Sequence, residues 1–382
     1  MKMKINFFAF NVFFATTILL SCKTIRPIVY NLPDQKDAKR FPYRAIQQAP
    51  LSSVFYFMKY PKTPEFIHDI KVENKAINST GIPLNEFVKL HKTISFVIIR
   101  NDSILYEYYD DNHSAQTNVT SFSIAKSYIT MLIGIAIHEG FIKNEYEPVT
   151  NYITEWKNKA GYKLITIKDL LRHTSGLRFT KSLLNPNSDQ AQFYYGTDLR
   201  KKILTSVIKE PPGLHFDYQS ENPSLLAIIL ERATGRTVSQ YLQEKIWTQI
   251  GTEAPALWST DRKDSLAIEK VFCCLNARTL DFAKSARLLL NKGNWEGKQL
   301  IPEVWLEKAT AKTNEAGGKI SYGYNLGLGP AAYNSFFLIG LYGQFLYLYP
   351  KKNIIIARFG NADINYNPNY WKEIMLQLID QL

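Results

Sequence analysis

The chain has 382 residues, of which 46% are hydrophobic and 21% are charged, and its 46 Lys and Arg outnumber 34 Asp and Glu to give a formal charge of +12. This composition is typical of a folded globular protein and excludes a disordered, collagen-like or coiled-coil chain. The basic residues are spread along the chain and the three cysteines form no zinc-finger pattern, so neither nucleic-acid binding nor a disulfide framework is predicted.

The N-terminus is predicted to be an export signal. Two lysines precede a mostly apolar stretch, residues 5–20, which is too short to span a membrane as a helix. The stretch runs into Leu-Leu-Ser-Cys at residues 19–22, which resembles the bacterial lipobox, where the cysteine is lipidated and becomes the mature N-terminus. We therefore expect residues 1–21 to be a lipoprotein signal peptide and Cys22 to anchor an exported protein that faces the periplasm or the cell surface. An ordinary secreted protein with a chance cysteine is the alternative.

The first folded elements are predicted after a segment of low periodicity. Residues 22–82 begin with prolines and mixed charge, and we expect a tether and an N-terminal extension there. The remaining residues, 83–382, are predicted to form one domain, which opens with a short helix at 84–91. Two β-branched, apolar runs, 94–100 and 104–109, are separated by turn residues and predict a β-hairpin.

A long apolar helix is predicted from residue 123 to residue 139, where Gly140 ends it. The block that follows, about 140–310, is predicted to be mainly helical, with helices near 167–171, 225–233 and 279–290. Strand patterns return at 336–338, 344–349 and 354–359, before a final helix at 368–382. Because neighbouring strands in a sequence tend to pair, the N- and C-terminal strands can share one antiparallel sheet. The expected class is α+β, with helices flanking that sheet and the helical block inserted between its two halves.

The start of the long helix carries the first candidate for chemistry. Ser123 and Lys126 are three residues apart, so a helix places them on one face and the lysine amine can reach the serine hydroxyl. Serine needs such a base to become a nucleophile at neutral pH. A helix N-terminus and burial both disfavour a positive charge and so favour the basic form of the amine. A second copy of the spacing, Ser206 and Lys209, lies near the end of a segment and is interpreted as chance.

Two later segments offer partners for this pair. Tyr218 opens a Tyr-Gln-Ser sequence that ends at Ser220, and a tyrosine beside a Ser–Lys pair can relay a proton. Gly340 and Leu341 lead into a strand, where a glycine lets the backbone approach a substrate closely. Backbone N–H groups at that point could form one half of an oxyanion hole, and the N–H of Ser123 could form the other half.

In this order the motifs resemble the serine β-lactamase and penicillin-binding-protein superfamily, and most closely its class C β-lactamase-related branch. That branch includes esterases, D-amino-acid peptidases and 6-aminohexanoate-dimer hydrolase. The resemblance covers about residues 94–359 and includes Ile-Thr-Ile-Lys-Asp-Leu-Leu-Arg-His-Thr-Ser-Gly-Leu at 165–177, with further segments at 290–298 and 321–324. It implies a β-lactamase/transpeptidase-like fold and a serine hydrolase, for which we expect no cofactor.

The resemblance also implies a role for each candidate. Ser123 would be the acylated nucleophile, Lys126 its base and Tyr218 the second proton carrier. Gly340 matches the glycine of the third motif, and Leu341 would supply the oxyanion N–H that follows it. The expected reaction is hydrolysis of a small ester, a D-amino-acid peptide or a cell-wall-derived substrate. A non-catalytic module that binds peptidoglycan or a peptide is the alternative, and a lipoprotein that uses only the fold is a third possibility.

Two positions depart from the family pattern. Ser220 replaces the usual asparagine, and Leu338 and Ile339 replace the usual Lys-Thr or His-Thr before the glycine. These changes remove groups that would hold the amide and the carboxylate of a β-lactam. With these residues, the motifs are closer to those of the dimer-hydrolase and esterase relatives.

Other candidate residues have simpler interpretations. His173 and Ser175 lie in the His-Thr-Ser-Gly-Leu turn, which is structural in this family. The six histidines include no His-x-x-x-His pair, so no metal site is expected. Cys273 and Cys274 are interpreted as buried thiols, because adjacent cysteines bridge only with strain. The expected partners are a small-molecule or peptide substrate and, through the lipid anchor, a membrane.

Overall fold

The computed structural model describes residues 32–73, 81–313, 317–361 and 367–382. The predicted signal peptide and Cys22 lie outside these residues, and among the described ones no helix is long and apolar enough to cross a membrane.

The α-helices span Asp37–Arg40, Phe66–Asp69, Leu84–Leu90, Ala125–His138, Ile167–Arg172, Asp189–Tyr195, Leu199–Leu204, Glu221–Thr234, Val238–Leu242, Thr279–Leu290, Glu303–Thr310 and Pro368–Gln381. Each predicted helix is present, with ends within a few residues of those expected.

A large sheet forms the centre of the fold. Its strands are, in spatial order, Gly327–Leu328, Phe336–Gly340, Gln344–Tyr349, Ile354–Gly360, Thr93–Arg100, Ser103–Tyr109 and Met58–Lys59. Neighbouring strands are antiparallel except at one edge, where Met58–Lys59 runs parallel to Ser103–Tyr109. The C-terminal strands lie beside the N-terminal hairpin, as the sequence predicts, because Ile354–Gly360 pairs with Thr93–Arg100.

Helices cover both faces of this sheet. Phe96 and Ile98 belong to a core that is completed by the helices Leu84–Leu90 and Pro368–Gln381. Val97 and Ile99 belong to the opposite, larger core, which contains the buried helices of the middle block. Alternate side chains of a strand point to opposite faces. A strand that is covered on both sides is therefore apolar at successive positions, which explains the continuous hydrophobic run in the sequence.

A smaller sheet, not apparent from the sequence, joins the N-terminal extension to the middle block. Its order is Tyr43–Ile46, Ala256–Ser259, Leu275–Arg278 and Asn118–Thr120, with antiparallel pairs throughout. Strands this short carry too little periodicity for a sequence pattern to reveal them. Part of the expected tether and extension, residues 22–82, is therefore packed on the domain, while the domain boundaries stay predictions.

The long helix Ala125–His138 runs through the larger core. Residues 125–136 are all buried. Gly134 allows the Trp305 indole to pack directly on the helix, because a Cβ at residue 134 would overlap that ring. A helix that is held on all sides presents its N-terminal turn rigidly, and this turn carries Ser123 and Lys126.

Candidate active site

A sharp turn places Ser123 at the start of the buried helix. Phe122 has a φ of 43°, in the left-handed region that bulky residues rarely adopt. A 3-10 turn, Phe122–Ile124, leads directly into Ala125–His138. The Phe122 ring packs edge-on against Tyr342, with 5.7 Å between the ring centroids. Unusual backbone conformations that are held by their surroundings cluster at functional sites.

Lys126 lies one turn along the helix and reaches back to Ser123. Its Nζ is 2.9 Å from Ser123 Oγ and 2.7 Å from the carbonyl oxygen of Phe272. Lys126 is only 2% exposed, whereas Ser123 is half-buried. The contact predicted from the spacing is therefore present, and a hydroxyl that is hydrogen-bonded to a buried amine has the arrangement a Ser–Lys nucleophile requires.

The six residues predicted from the sequence to act in catalysis or substrate binding line one cavity of about 410 Å³; they are Ser123, Lys126, Tyr218, Ser220, Gly340 and Leu341. The other residues that line the cavity are mostly apolar and include Phe122, Phe179, Leu183, Tyr194, Phe272 and Ile339. A volume of this size suits a small organic ligand. Within the part of the chain that the structure describes, no group of three or more His, Cys, Asp or Glu side chains is placed to hold a metal ion.

Tyr218 faces Lys126 and packs against a buried histidine. Lys126 Nζ lies 4.8 Å from the centroid of the Tyr218 ring, and the His173 ring lies 4.8 Å from the same ring. His173 Nε2 is 2.9 Å from Asn325 Oδ1, and its Nδ1 accepts a hydrogen bond from the backbone N–H of Gln219. Burial lowers the pKa of His173 to about 3. The imidazole is therefore neutral at neutral pH and supports the Tyr218 ring rather than acting as a base.

The strand Phe336–Gly340 brings its last residue against the turn that carries Ser123. A Cβ at residue 340 would overlap the carbonyl oxygen of Ser121, so this close approach requires glycine. The backbone of Gly340 and Leu341 lies in the same cavity wall as Ser123. N–H groups on a backbone fixed in this way can stabilise an oxyanion without rearrangement.

The substituted positions before Gly340 have different surroundings. Leu338 is buried in the larger core and does not line the cavity. Ile339 is half-buried and lines the cavity with an apolar surface. Lys181 also lines the cavity and forms an ion pair with Asp217. The sequence does not single out Lys181, because only the folded chain brings its loop to the cavity.

The adjacent cysteines are bridged, which corrects their interpretation as buried thiols. Cys273 and Cys274 form a disulfide, and both are buried. Cys274 has a φ of 69°, in the left-handed region. The sequence does not reveal this conformation, because residues other than glycine seldom adopt it. Cys273 lines the cavity and directly follows Phe272, whose carbonyl accepts the hydrogen bond from Lys126.

The second serine with matching spacing lies away from the cavity. Ser206 is buried, and its hydroxyl contacts the carbonyl oxygen of Ile203 and the carboxyl group of Glu221. Burial raises the pKa of Glu221 to about 8, so this carboxyl group is largely protonated at neutral pH. Ser206 thus has structural neighbours, which agrees with the interpretation of its motif as chance.

Comparisons with known proteins agree with this geometry. Residues 89–267 match the protein family described as Beta-lactamase. The structure of a putative 6-aminohexanoate-dimer hydrolase from Bacillus anthracis superposes with a TM-score of 0.78, over 91% of this chain and 92% of its own, at 24% identity. This chain has a β-lactamase/transpeptidase-like fold. The α+β class and the resemblance to that superfamily, both predicted from the sequence, are confirmed.

Further relatives of the β-lactamase-like fold show how far the similarity extends. The 6-aminohexanoate-dimer hydrolase of Paenarthrobacter ureafaciens is 23% identical over 291 residues, which cover 70% of this chain and 72% of that protein. The putative penicillin-binding protein PbpX of Bacillus subtilis is 31% identical over 176 residues, 44% of this chain and 42% of PbpX. A putative beta-lactamase from Bacteroides dorei has a TM-score of 0.65 at 15% identity, over 78% of this chain and 96% of its own. These matches are consistent with a hydrolase of the β-lactamase-like fold.

Proposed function

We propose that this chain is a serine hydrolase that forms an acyl-enzyme at Ser123 and hydrolyses an ester or an amide. The observation that carries the proposal is the 2.9 Å contact between Lys126 Nζ and Ser123 Oγ, beside a cavity that Tyr218 also lines. The neutral, fully hydrogen-bonded His173 leaves Lys126 and Tyr218 as the groups that can accept the serine proton.

Acylation follows from the position of each group. Ser123 Oγ attacks the carbonyl carbon of the substrate while its proton passes to Lys126 Nζ. The carbonyl oxygen becomes an oxyanion, which accepts hydrogen bonds from the backbone N–H groups of Ser123 and Leu341. The bond from the carbonyl carbon to the leaving oxygen or nitrogen then breaks. Tyr218 relays the proton from Lys126 to that leaving atom, so no net charge accumulates.

Deacylation uses the same groups in reverse. A water molecule gives a proton to the Lys126–Tyr218 pair and attacks the carbonyl carbon of the Ser123 ester. The bond from that carbon to Ser123 Oγ breaks, and the serine oxygen takes the proton back. One water molecule is consumed, the carboxylic acid is released, and all three side chains return to their starting states.

The lining of the cavity favours an uncharged, largely apolar acyl group. Ile339 presents hydrocarbon to the cavity, and Ser220 offers a hydroxyl in place of an amide. Lys181 is paired with Asp217, whose carboxylate offsets the positive charge that this lysine would present to a substrate carboxylate. A small ester or a short amide therefore fits this site better than a β-lactam does.

A panel of p-nitrophenyl esters, D-amino-acid amides and a chromogenic cephalosporin tests both the proposed hydrolase activity and its selectivity. We expect kcat/KM for the best ester or short amide to exceed that for the cephalosporin by a large factor. One charge-assisted hydrogen bond to a carboxylate is worth about 1.5–3 kcal/mol, and its loss alone corresponds to a factor of roughly 10–100. Ser220→Asn should change the ratio only modestly, because no cation precedes Gly340 in this variant either. Efficient hydrolysis of the cephalosporin would contradict the selectivity, whereas no turnover of any compound would favour the non-catalytic binding module.

We also propose that Cys22 is lipidated and anchors the exported protein to a membrane. The support is the Leu-Leu-Ser-Cys sequence after a short apolar stretch. Pro33, which lines the cavity, follows Cys22 by eleven residues. A fully extended chain of that length spans about 40 Å at most. The anchor would therefore keep the active site close to the membrane surface.

Replacing Cys22 with alanine is expected to move the protein from the membrane fraction to the soluble or unprocessed pool. Loss of the thiol removes the atom to which the lipid is joined, and mass spectrometry of the N-terminal peptide should show the lipid only in the parent protein. Ser21→Ala is the matched control, because it keeps a small residue before the cysteine and should fractionate like the parent. Unchanged fractionation of Cys22→Ala, with no lipid mass in the parent, would show that the lipobox interpretation is wrong.

A further inference from the structure

The position of Lys126 depends on one peptide unit outside its own helix. Lys126 Nζ donates to the carbonyl oxygen of Phe272 at 2.7 Å as well as contacting Ser123. The same peptide unit carries the N–H of Cys273, which donates to the carbonyl oxygen of Lys270 at 2.9 Å. This unit therefore links the lysine to the residues that follow Phe272.

Those residues are closed into a small ring. The disulfide between Cys273 and Cys274 makes a ring of eight atoms that includes the peptide bond between them. Such a ring restricts ψ of Cys273 and φ of Cys274, the two rotatable backbone bonds that it contains. The φ of Cys274 is 69°, which an unbridged cysteine would disfavour. The bridge thus holds a backbone conformation directly beside the carbonyl that contacts Lys126.

The far side of the ring is secured independently. The backbone N–H of Ser259 and the side-chain amide of Asn276 each donate to the carbonyl oxygen of Cys274, both at 3.0 Å. The indole N–H of Trp258 donates to the carbonyl oxygen of Cys273 at 3.2 Å. If the ring opens, these contacts keep the residues after it in place. The Phe272 side is held by the hydrogen bond from the Cys273 N–H to Lys270, and we expect a change in the ring to disturb that side more than the strand Leu275–Arg278.

We infer that the Cys273–Cys274 disulfide is a positioning element of the active site, which holds the Phe272 carbonyl where it orients Lys126 toward Ser123. This inference rests on the proposed function. Reduction adds two electrons and two protons to give two thiols, and a phosphine reductant supplies the electrons as it takes an oxygen atom from water. With the ring open, φ of Cys274 can relax and the Phe272 carbonyl can move away from Lys126. Turnover should then fall although no side chain that touches the substrate's reacting atoms has changed.

The first experiment compares the full chain before and after treatment with a phosphine, using an ester from the panel. We expect kcat, and the rate at which a fluorophosphonate probe labels Ser123, to fall by ~10-fold or more, the scale of a small misplacement of a catalytic group. KM should stay nearly constant, and reoxidation should restore both rates. Alkylation and peptide mapping report whether Cys273 and Cys274 are reduced, separately from Cys22. An unchanged kcat in protein alkylated at both positions would overturn the inference.

A double variant covers the case in which the buried bridge resists the reductant. Cys273→Ala combined with Cys274→Ala removes the bridge, and alanine at residue 274 disfavours the positive φ, so the backbone there can relax. We expect low kcat, an altered pH dependence of kcat and no further response to the phosphine. Full activity in this folded variant would mean that the bridge positions nothing, and a lowered melting temperature with normal kcat would mean a merely structural role.

The two proposals fail in distinguishable ways. If the untreated protein neither labels at Ser123 nor turns over any ester, the proposed function is wrong and this inference is overturned with it. If the untreated protein labels and turns over normally, and the reduced protein does so at the same rate, only the role of the disulfide is wrong.

Discussion

Replacing Ser123 with alanine is expected to abolish turnover and covalent labelling while the fold is kept. The variant lacks the oxygen that must bond to the substrate carbonyl carbon, so kcat should fall by ~10⁴-fold or more. Only the hydrogen bond between Ser123 and Lys126 is lost, and the lysine keeps its bond to the Phe272 carbonyl. The melting temperature should therefore stay close to that of the parent.

Covalent labelling gives the most direct measurement. A fluorophosphonate probe should add one label to the parent protein, and peptide mapping should place it on Ser123. Ser123 is half-buried and lines the cavity, so the probe can reach it. A label that persists in Ser123→Ala would contradict the assignment of Ser123 as the nucleophile, and the proposed mechanism would be wrong as well. A well-folded protein without any label would favour the non-catalytic binding module.

Two other serines provide matched controls. Ser206 has the same spacing to a lysine, and Ser175 lies in the segment that resembles the superfamily. Both are buried, and neither lines the cavity. The Ser175 hydroxyl donates to Asn222 Oδ1 at 2.7 Å, while Ser206 contacts Glu221. Ser206→Ala and Ser175→Ala should therefore leave the labelling unchanged, and a label that maps to either residue would contradict the choice of Ser123.

The Ser–Lys contact could be predicted from the sequence because it is local. Residues three apart on a helix share a face whatever the rest of the chain does. The apolar run after Lys126 also predicts a buried helix, and residues 125–136 are buried. The strands of the large sheet could be predicted for a similar reason, since a covered strand such as Thr93–Arg100 is apolar at successive positions.

The approach of Tyr218 and Gly340 to this pair could not be derived from spacing. Both lie far along the chain, and their contacts depend on how helices and strands pack. Only the resemblance to a known superfamily placed them beside Ser123. The structure adds the physical reason for each position, because His173 packs against the Tyr218 ring and Gly340 lets its strand approach Ser121.

Parts of the site have no sequence signal at all. The carbonyl of Phe272 is a backbone group that every residue possesses, so no residue type marks it as a partner for Lys126. Pro33 and Lys181 reach the cavity from separate segments that only the folded chain brings together. The Cys273–Cys274 bridge depends on a backbone conformation that is rare for cysteine. A pair of adjacent cysteines is the only trace of it in the sequence.

The second large effect is expected from the groups that move the proton. Lys126→Ala removes the amine within 2.9 Å of Ser123 Oγ, and Tyr218→Phe removes only a phenol oxygen. Each variant should lower kcat by at least ~100-fold, the usual scale for loss of a general base or acid. Steady-state kinetics and a melting curve measure both changes. Near-normal kcat in either variant would mean that the residue has been given the wrong role.

A neighbouring tyrosine separates proton transfer from packing in this test. Tyr322 packs against Tyr218, with 6.0 Å between the ring centroids, but does not line the cavity. Burial raises the pKa of Tyr322 well above its usual value, so its phenol stays protonated at neutral pH and cannot serve as a base. Tyr322→Phe should therefore keep kcat close to the parent value. A loss in Tyr218→Phe that Tyr322→Phe does not share would belong to the Tyr218 phenol oxygen, because both variants keep the aromatic ring.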